Sequence, residues 1–107
     1  MSILNKFVGS WAGESITTTL TDKDINVEND IKVFYKIEAV TSAPNTYLIL
    51  FISKNFESTF LGYVINDILY SVENDKFEFD NNVLLHNYSD KKINTCTVSN
   101  SILYRVI

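Results

Sequence analysis

Trp11 and Arg105 sit near opposite ends of the chain and carry, respectively, an aromatic face and a permanent cation. If the first and last strands of a sheet pair, the guanidinium can lie over the indole, a contact worth roughly 0.5–2 kcal/mol. Such a pair can close the floor of a barrel structurally, or it can form the floor of a ligand cavity with Arg105 reaching an anionic group. The strand that carries Trp11 continues on the same face with Gly13, Ser15, Thr17 and Thr19, because side chains alternate strictly along a strand. If Trp11 points inward, these hydroxyls line the interior and favour a compact polar ligand. The other possibility turns Ile16 and Leu20 inward and leaves the hydroxyls in solvent. Tyr35, one of six tyrosines, adds a large apolar body with a polar tip, useful inside a pocket.

Other chemistry-bearing residues lead to less. His86 is the single histidine, with no Cys or Asp at ligand spacing, and zinc needs three or four ligands. It could act as a general base, but no nucleophile stands at a recognisable spacing, so a structural or surface role is expected. Asp22-x-Asp24-x-Asn26 imitates the start of a calcium loop, yet Val27 and Val33 occupy the places that need Gly and a bidentate Glu. Cys96 has no partner cysteine and reads as a small buried hydrophobe. Asn87-Tyr88-Ser89 matches a glycosylation acceptor only by chance, as nothing indicates secretion. With no nucleophile–base pair, metal set or phosphate loop, no catalytic residue, cofactor or metal is assigned, and an enzyme is the less favoured class.

These side chains need a frame. The chain has 107 residues without a break in composition, so one domain over 1–107 is expected. Its apolar fraction of 46%, with seven Phe, six Tyr and one Trp, is enough for a packed core and excludes disorder. The net charge of −4 and the scattering of nine basic residues argue against nucleic acid. No apolar run approaches the ~18 residues of a membrane span. The N-terminus lacks the apolar run of a signal peptide, and one cysteine cannot form an internal disulfide, so a reducing cytosol is the expected location.

Asn and Asp punctuate the chain in place of Gly and Pro. Asn29-Asp30, Asn66-Asp67, Asn74-Asp75, Asn81-Asn82, Ser89-Asp90 and Ser99-Asn100 all separate apolar runs, and these residues tolerate left-handed backbone in tight turns. Between them the spacing predicts strands near 10–20, 31–40, 46–54, 58–65, 68–73, 76–80, 83–88, 92–99 and 102–107. Residues 2–8 could add one helical turn capped by Ser2. Short turns make sequential strands neighbours, and closure removes the exposed edges. The expected fold is all-β: a small antiparallel up-and-down barrel of eight or nine strands.

Phe7-x-Gly9-x-Trp11 resembles the opening of the calycins, the superfamily of lipocalins, cytosolic fatty-acid-binding proteins and avidins. The Phe, Gly and Trp spacing is most similar to the cytosolic fatty-acid binders, and Arg105 is similar to the basic residue that covers the Trp in lipocalins. Two features depart from the fatty-acid binders. Residues 21–30 are too few for their two helices, and their Arg-x-Tyr is absent because Tyr104 directly precedes Arg105. The resemblance implies a barrel and small-molecule binding, without implying fatty acid. The favoured function is a module that binds a compact organic ligand through Trp11, Ser15, Thr17, Thr19, Tyr35 and Arg105. The alternative is a protein-interaction module, of inhibitor or immunity type, whose barrel is filled.

Overall fold

The computed structural model describes residues 6–54 and 56–106. Eight strands follow one another: β1 (Gly9–Thr21), β2 (Ile25–Ala39), β3 (Thr46–Ser53), β4 (Phe56–Ile65), β5 (Ile68–Ser71), β6 (Asp75–Asp80), β7 (Val83–Lys91) and β8 (Thr95–Val106). Each pairs antiparallel with its sequence neighbour, and β8 pairs back onto β1 to close the barrel. Among the described residues no helix is long and apolar enough to cross a membrane. The helical turn expected over 2–8 falls mostly outside the described residues, and Lys6 and Phe7 form a turn.

Asparagine and aspartate turn the chain as expected. Asn45, Asn66, Asp67, Asn74 and Asn81 all have positive φ, between 51° and 73°. Asn66 and Asp67 lie between the paired residues Ile65 and Ile68, so both central residues of a two-residue hairpin are left-handed. Three expected turns are instead inside strands. The strands expected near 92–99 and 102–107 merge into one, β8 (Thr95–Val106), because Asn100 stands opposite Asn87 and the two amides pair on the outer face at 2.6 Å. Ser89-Asp90 likewise continues β7 against Val98 and Thr97. Asn29-Asp30 lies in a β-bulge: Ser15 pairs with Ile31 and Thr17 with Glu28, so two steps on β1 match three on β2.

At one end the barrel is packed solid. Phe7, Trp11, Ile37, Ile49, Leu69, Phe77, Leu84 and Leu103 are almost wholly buried. Trp11, only 1% exposed, meets the edge of Phe79 at 5.5 Å, and its Nε1–H donates to the carbonyl of Phe7 at 3.0 Å. The Arg105 guanidinium lies 4.2 Å from the Trp11 ring centroid and donates to the carbonyls of Val8 (2.8 Å) and Lys6 (2.9 Å). This clasp ties the segment before β1 to the last strand and seals the floor.

Candidate functional site

The register carries inward-facing residues from strand to strand in rows whose polarity changes along the barrel. Near the floor, Val33, Gly13, Leu103, Leu84 and Phe79 are successive partners and form an apolar row. The next row toward the mouth runs Ile31, Ser15, Ser101, His86 and Phe77. The row beyond it runs Glu28, Thr17, Ser99, Tyr88 and Asp75. Alternation along each strand therefore builds a sealed hydrocarbon floor under a polar chamber. Above the floor lies a cavity of about 450 Å³, within the range that suits a small organic ligand.

His86 and Asp75 form the polar centre of the chamber. Both are buried, at 4% and 7% exposure, and His86 Nε2 stands 2.5 Å from Asp75 Oδ1. An ionised carboxylate only accepts, so across this contact His86 Nε2–H donates to Asp75 Oδ1. The hydroxyls of Ser101 (3.4 Å) and Tyr35 (3.5 Å) are within reach of Nδ1, and the Tyr35 oxygen also lies 3.3 Å from Nε2. The other carboxylate oxygen of Asp75 accepts from Ser71 Oγ at 2.8 Å, while Ser71 Oγ accepts the backbone N–H groups of Glu73 and Asp75. The β5–β6 turn is thus built around the serine that orients Asp75. The imidazole packs against the rings of Phe77 (4.8 Å) and Tyr35 (5.0 Å), which themselves meet edge-on at 5.2 Å. Among the described residues every deeply buried polar side-chain atom has a partner, so the network is complete without a ligand.

Burial, with the negative charge of Asp75 second, pushes the Tyr35 hydroxyl well above the usual tyrosine range. Tyr88 is also raised, by burial first and then by Asp90, Asp75 and Glu73. Both phenols therefore face the chamber as neutral groups able to donate or accept.

The structure brings together three of the six expected site residues: Ser15, Thr17 and Tyr35 all line the cavity. Ile16 and Leu20, about half exposed, take the outer face. Thr17 Oγ1 lies 2.8 Å from Ser99 Oγ. Thr19 lies further along β1, between Asn26 and Thr97, and is not in the cavity wall. Trp11 and Arg105 are at the sealed end, with Arg105 on the solvent side of the indole, so the cation does not reach into the chamber. His86, Asp75, Glu28, Phe51 and Tyr88 line the cavity without having been singled out as site residues. Alternation could have found two of them, since His86 shares a face with Leu84, and Asp75 with Phe77 and Phe79.

No family model and no curated protein sequence matches the chain. Two solved structures do resemble the barrel. One, described as the siderocalin Ex-FABP that functions through dual ligand specificities, superposes with a TM-score of 0.62 at 11% identity, covering 95% of this chain and 75% of that one. The other, a protein of unknown function from the DUF3598 family of Nostoc punctiforme, gives a TM-score of 0.53 at 9% identity, covering 99% of this chain and 50% of that one. At these identities the likeness establishes the fold: the chain has a calycin-like, closed eight-stranded barrel.

Proposed function

We propose that this barrel binds one compact organic molecule in its interior chamber. The observation that carries the reading is the cavity of about 450 Å³, sealed below by hydrocarbon and walled by hydroxyls, rings and the Asp75–His86 pair. Eight strands leave room for packed side chains or for one small ligand, and here the lower half is packed and the upper half is not. Ser15, Thr17 and Tyr35 supply direct contacts. Trp11 and Arg105 serve binding only by holding the floor shut, and Thr19 stands beyond the wall. The structural neighbour described as a siderocalin with dual ligand specificities lends the reading support at the level of the fold. The single cysteine keeps a reducing compartment as our proposed location.

Native mass spectrometry of protein purified from its own host tests the reading. A non-covalent adduct of small-molecule mass is expected, and Ser15→Phe, which projects a ring into the chamber, should abolish it. An adduct that survives Ser15→Phe, or no adduct under any non-denaturing condition, counts against interior binding.

One observation favours a second reading, a protein-interaction surface. The outer face of β1 and β2 beyond the bulge exposes Ile16, Leu20, Ile25 and Val27, each about half or more accessible, with Leu20 and Ile25 directly paired. Apolar side chains grouped on an outer face mark contact sites. A Leu20→Lys variant that changes the solution mass of the purified protein would support this reading.

A further inference from the structure

The side chains around the chamber that carry fixed charge have one sign. Glu28, Glu73 and Asp75 contribute carboxylates, and no lysine or arginine lines the cavity. Among the described residues neither Glu28 nor Glu73 has an ion-pair partner, and Asp75 is matched only by His86. Tyr35, Phe51, Phe56, Phe60 and Tyr88 form the aromatic part of the wall. Tyr35 and Phe51 pack at a tilt with ring centres 4.9 Å apart, and Phe51 meets Phe56 at 5.8 Å. Aromatic faces are electronegative and attract cations, most strongly where water is excluded.

The observations narrow the kind of positive charge. Among the described residues no three His, Cys, Asp or Glu side chains converge closely enough to hold a metal ion. The carboxylates are spread around the upper chamber, with Glu28 and Asp75 at opposite ends of one register row. Such an arrangement suits a single positive charge carried on an organic body large enough to fill the cavity, rather than a bare ion held by converging ligands. It opposes an anion, which would meet three carboxylates and no lysine or arginine.

We propose that the chamber selects an organic cation, an ammonium group carried on an apolar or aromatic body. The ammonium lies among Glu28, Glu73 and Asp75, and the body packs on Phe51 and Phe60. This rests on the interior-binding reading above and adds the sign of the ligand's charge.

Three probes of one shape test it by NMR titration: phenethylammonium, its neutral isostere 2-phenylethanol and the anion 3-phenylpropionate. Phenethylammonium should shift cavity resonances and bind at least about tenfold more tightly than the alcohol, as expected of a charge facing three carboxylates of which one, Asp75, is buried. The propionate should bind most weakly. Glu28→Gln with Glu73→Gln changes two exposed side chains, and an unchanged amide spectrum verifies the fold. This variant should lose about fivefold or more for the ammonium and nothing for the alcohol. Equal binding of ammonium and alcohol overturns the cation assignment while leaving interior binding intact. No shift of cavity resonances with any of the three overturns both.

Discussion

Arg105 holds its guanidinium 4.2 Å from the centre of the Trp11 ring, and the two residues are direct partners across the β1–β8 seam. The seam that closes the barrel is thus also the place where its floor is clasped. Gly9 makes the approach possible. Its φ is +139°, and a Cβ there would stand 2.5 Å from Arg105 Nη1. A side chain would meet both a disfavoured backbone and the cation.

A double-mutant cycle separates those two costs. Gly9→Ala should destabilise by about 1–3 kcal/mol through backbone strain and by more through displacement of Arg105. Arg105→Ala alone should cost about 1–3 kcal/mol, for the lost cation–π contact and two charge-assisted hydrogen bonds. In the double variant the clash is gone and the strain remains, so the combined loss in urea unfolding should fall short of the sum. Strict additivity would show that the guanidinium and Gly9 do not share a contact in solution.

Breaking the Asp75–His86 pair should be costly. His86→Leu leaves a buried carboxylate with Ser71 as its remaining partner, and a buried charge stripped of its partner costs about 3–5 kcal/mol. Asp75→Asn should cost less, about 1–3 kcal/mol, because the amide oxygen can still accept from Nε2–H. Chemical denaturation of the two variants gives the comparison. A neutral His86→Leu would mean that water already reaches the pair.

The clasp could be read from the residue types because it depends only on strict alternation and on first and last strands meeting. The same alternation carried Ser15 and Thr17 inward. The lengths of β2, β7 and β8 could not be read this way. Asn100 and Ser89-Asp90 are turn-forming types, and their place inside strands depends on cross-strand partners such as Asn87 that only the register supplies. Asp75 followed an asparagine and resembled half a turn, although it shares a face with Phe77. The meeting of Tyr35 with His86 had no local signal. It joins residues 51 positions apart across the interior, through the stagger of a closed sheet.

Alkaline pH should destabilise the protein through Tyr35. Its folded pKa is raised above the unfolded value of 10.0, so the folded state holds the phenolic proton more tightly. The contribution is fully present below pH 10.0 and is lost as pH rises beyond it, when the unfolded chain releases a proton that the native chain keeps. A tyrosinate absorbance titration should show one phenol that ionises only on unfolding. Tyr35→Phe should remove that late phenol and flatten the alkaline fall in stability. If all six tyrosines titrate together near the ordinary value in the folded protein, Tyr35 is not shielded.

Thr17 and Thr19 point the same way along β1 but differ in what they face, and this makes them a matched pair for the chamber. Thr17 lines the cavity and bonds Ser99 at its rim, whereas Thr19 stands beyond the wall between Asn26 and Thr97. Threonine and valine have nearly the same shape and both favour strands, so either substitution should leave stability within about 1 kcal/mol. Thr17→Val removes a hydroxyl from the binding surface and should weaken retention of the native adduct by about fivefold, the worth of one modest hydrogen bond. Thr19→Val should leave retention unchanged. Competitive displacement of the adduct, followed by native mass spectrometry, measures both variants side by side. Equal losses would place the ligand higher in the barrel than the chamber, and no loss from Thr17→Val would remove that hydroxyl from the contact surface.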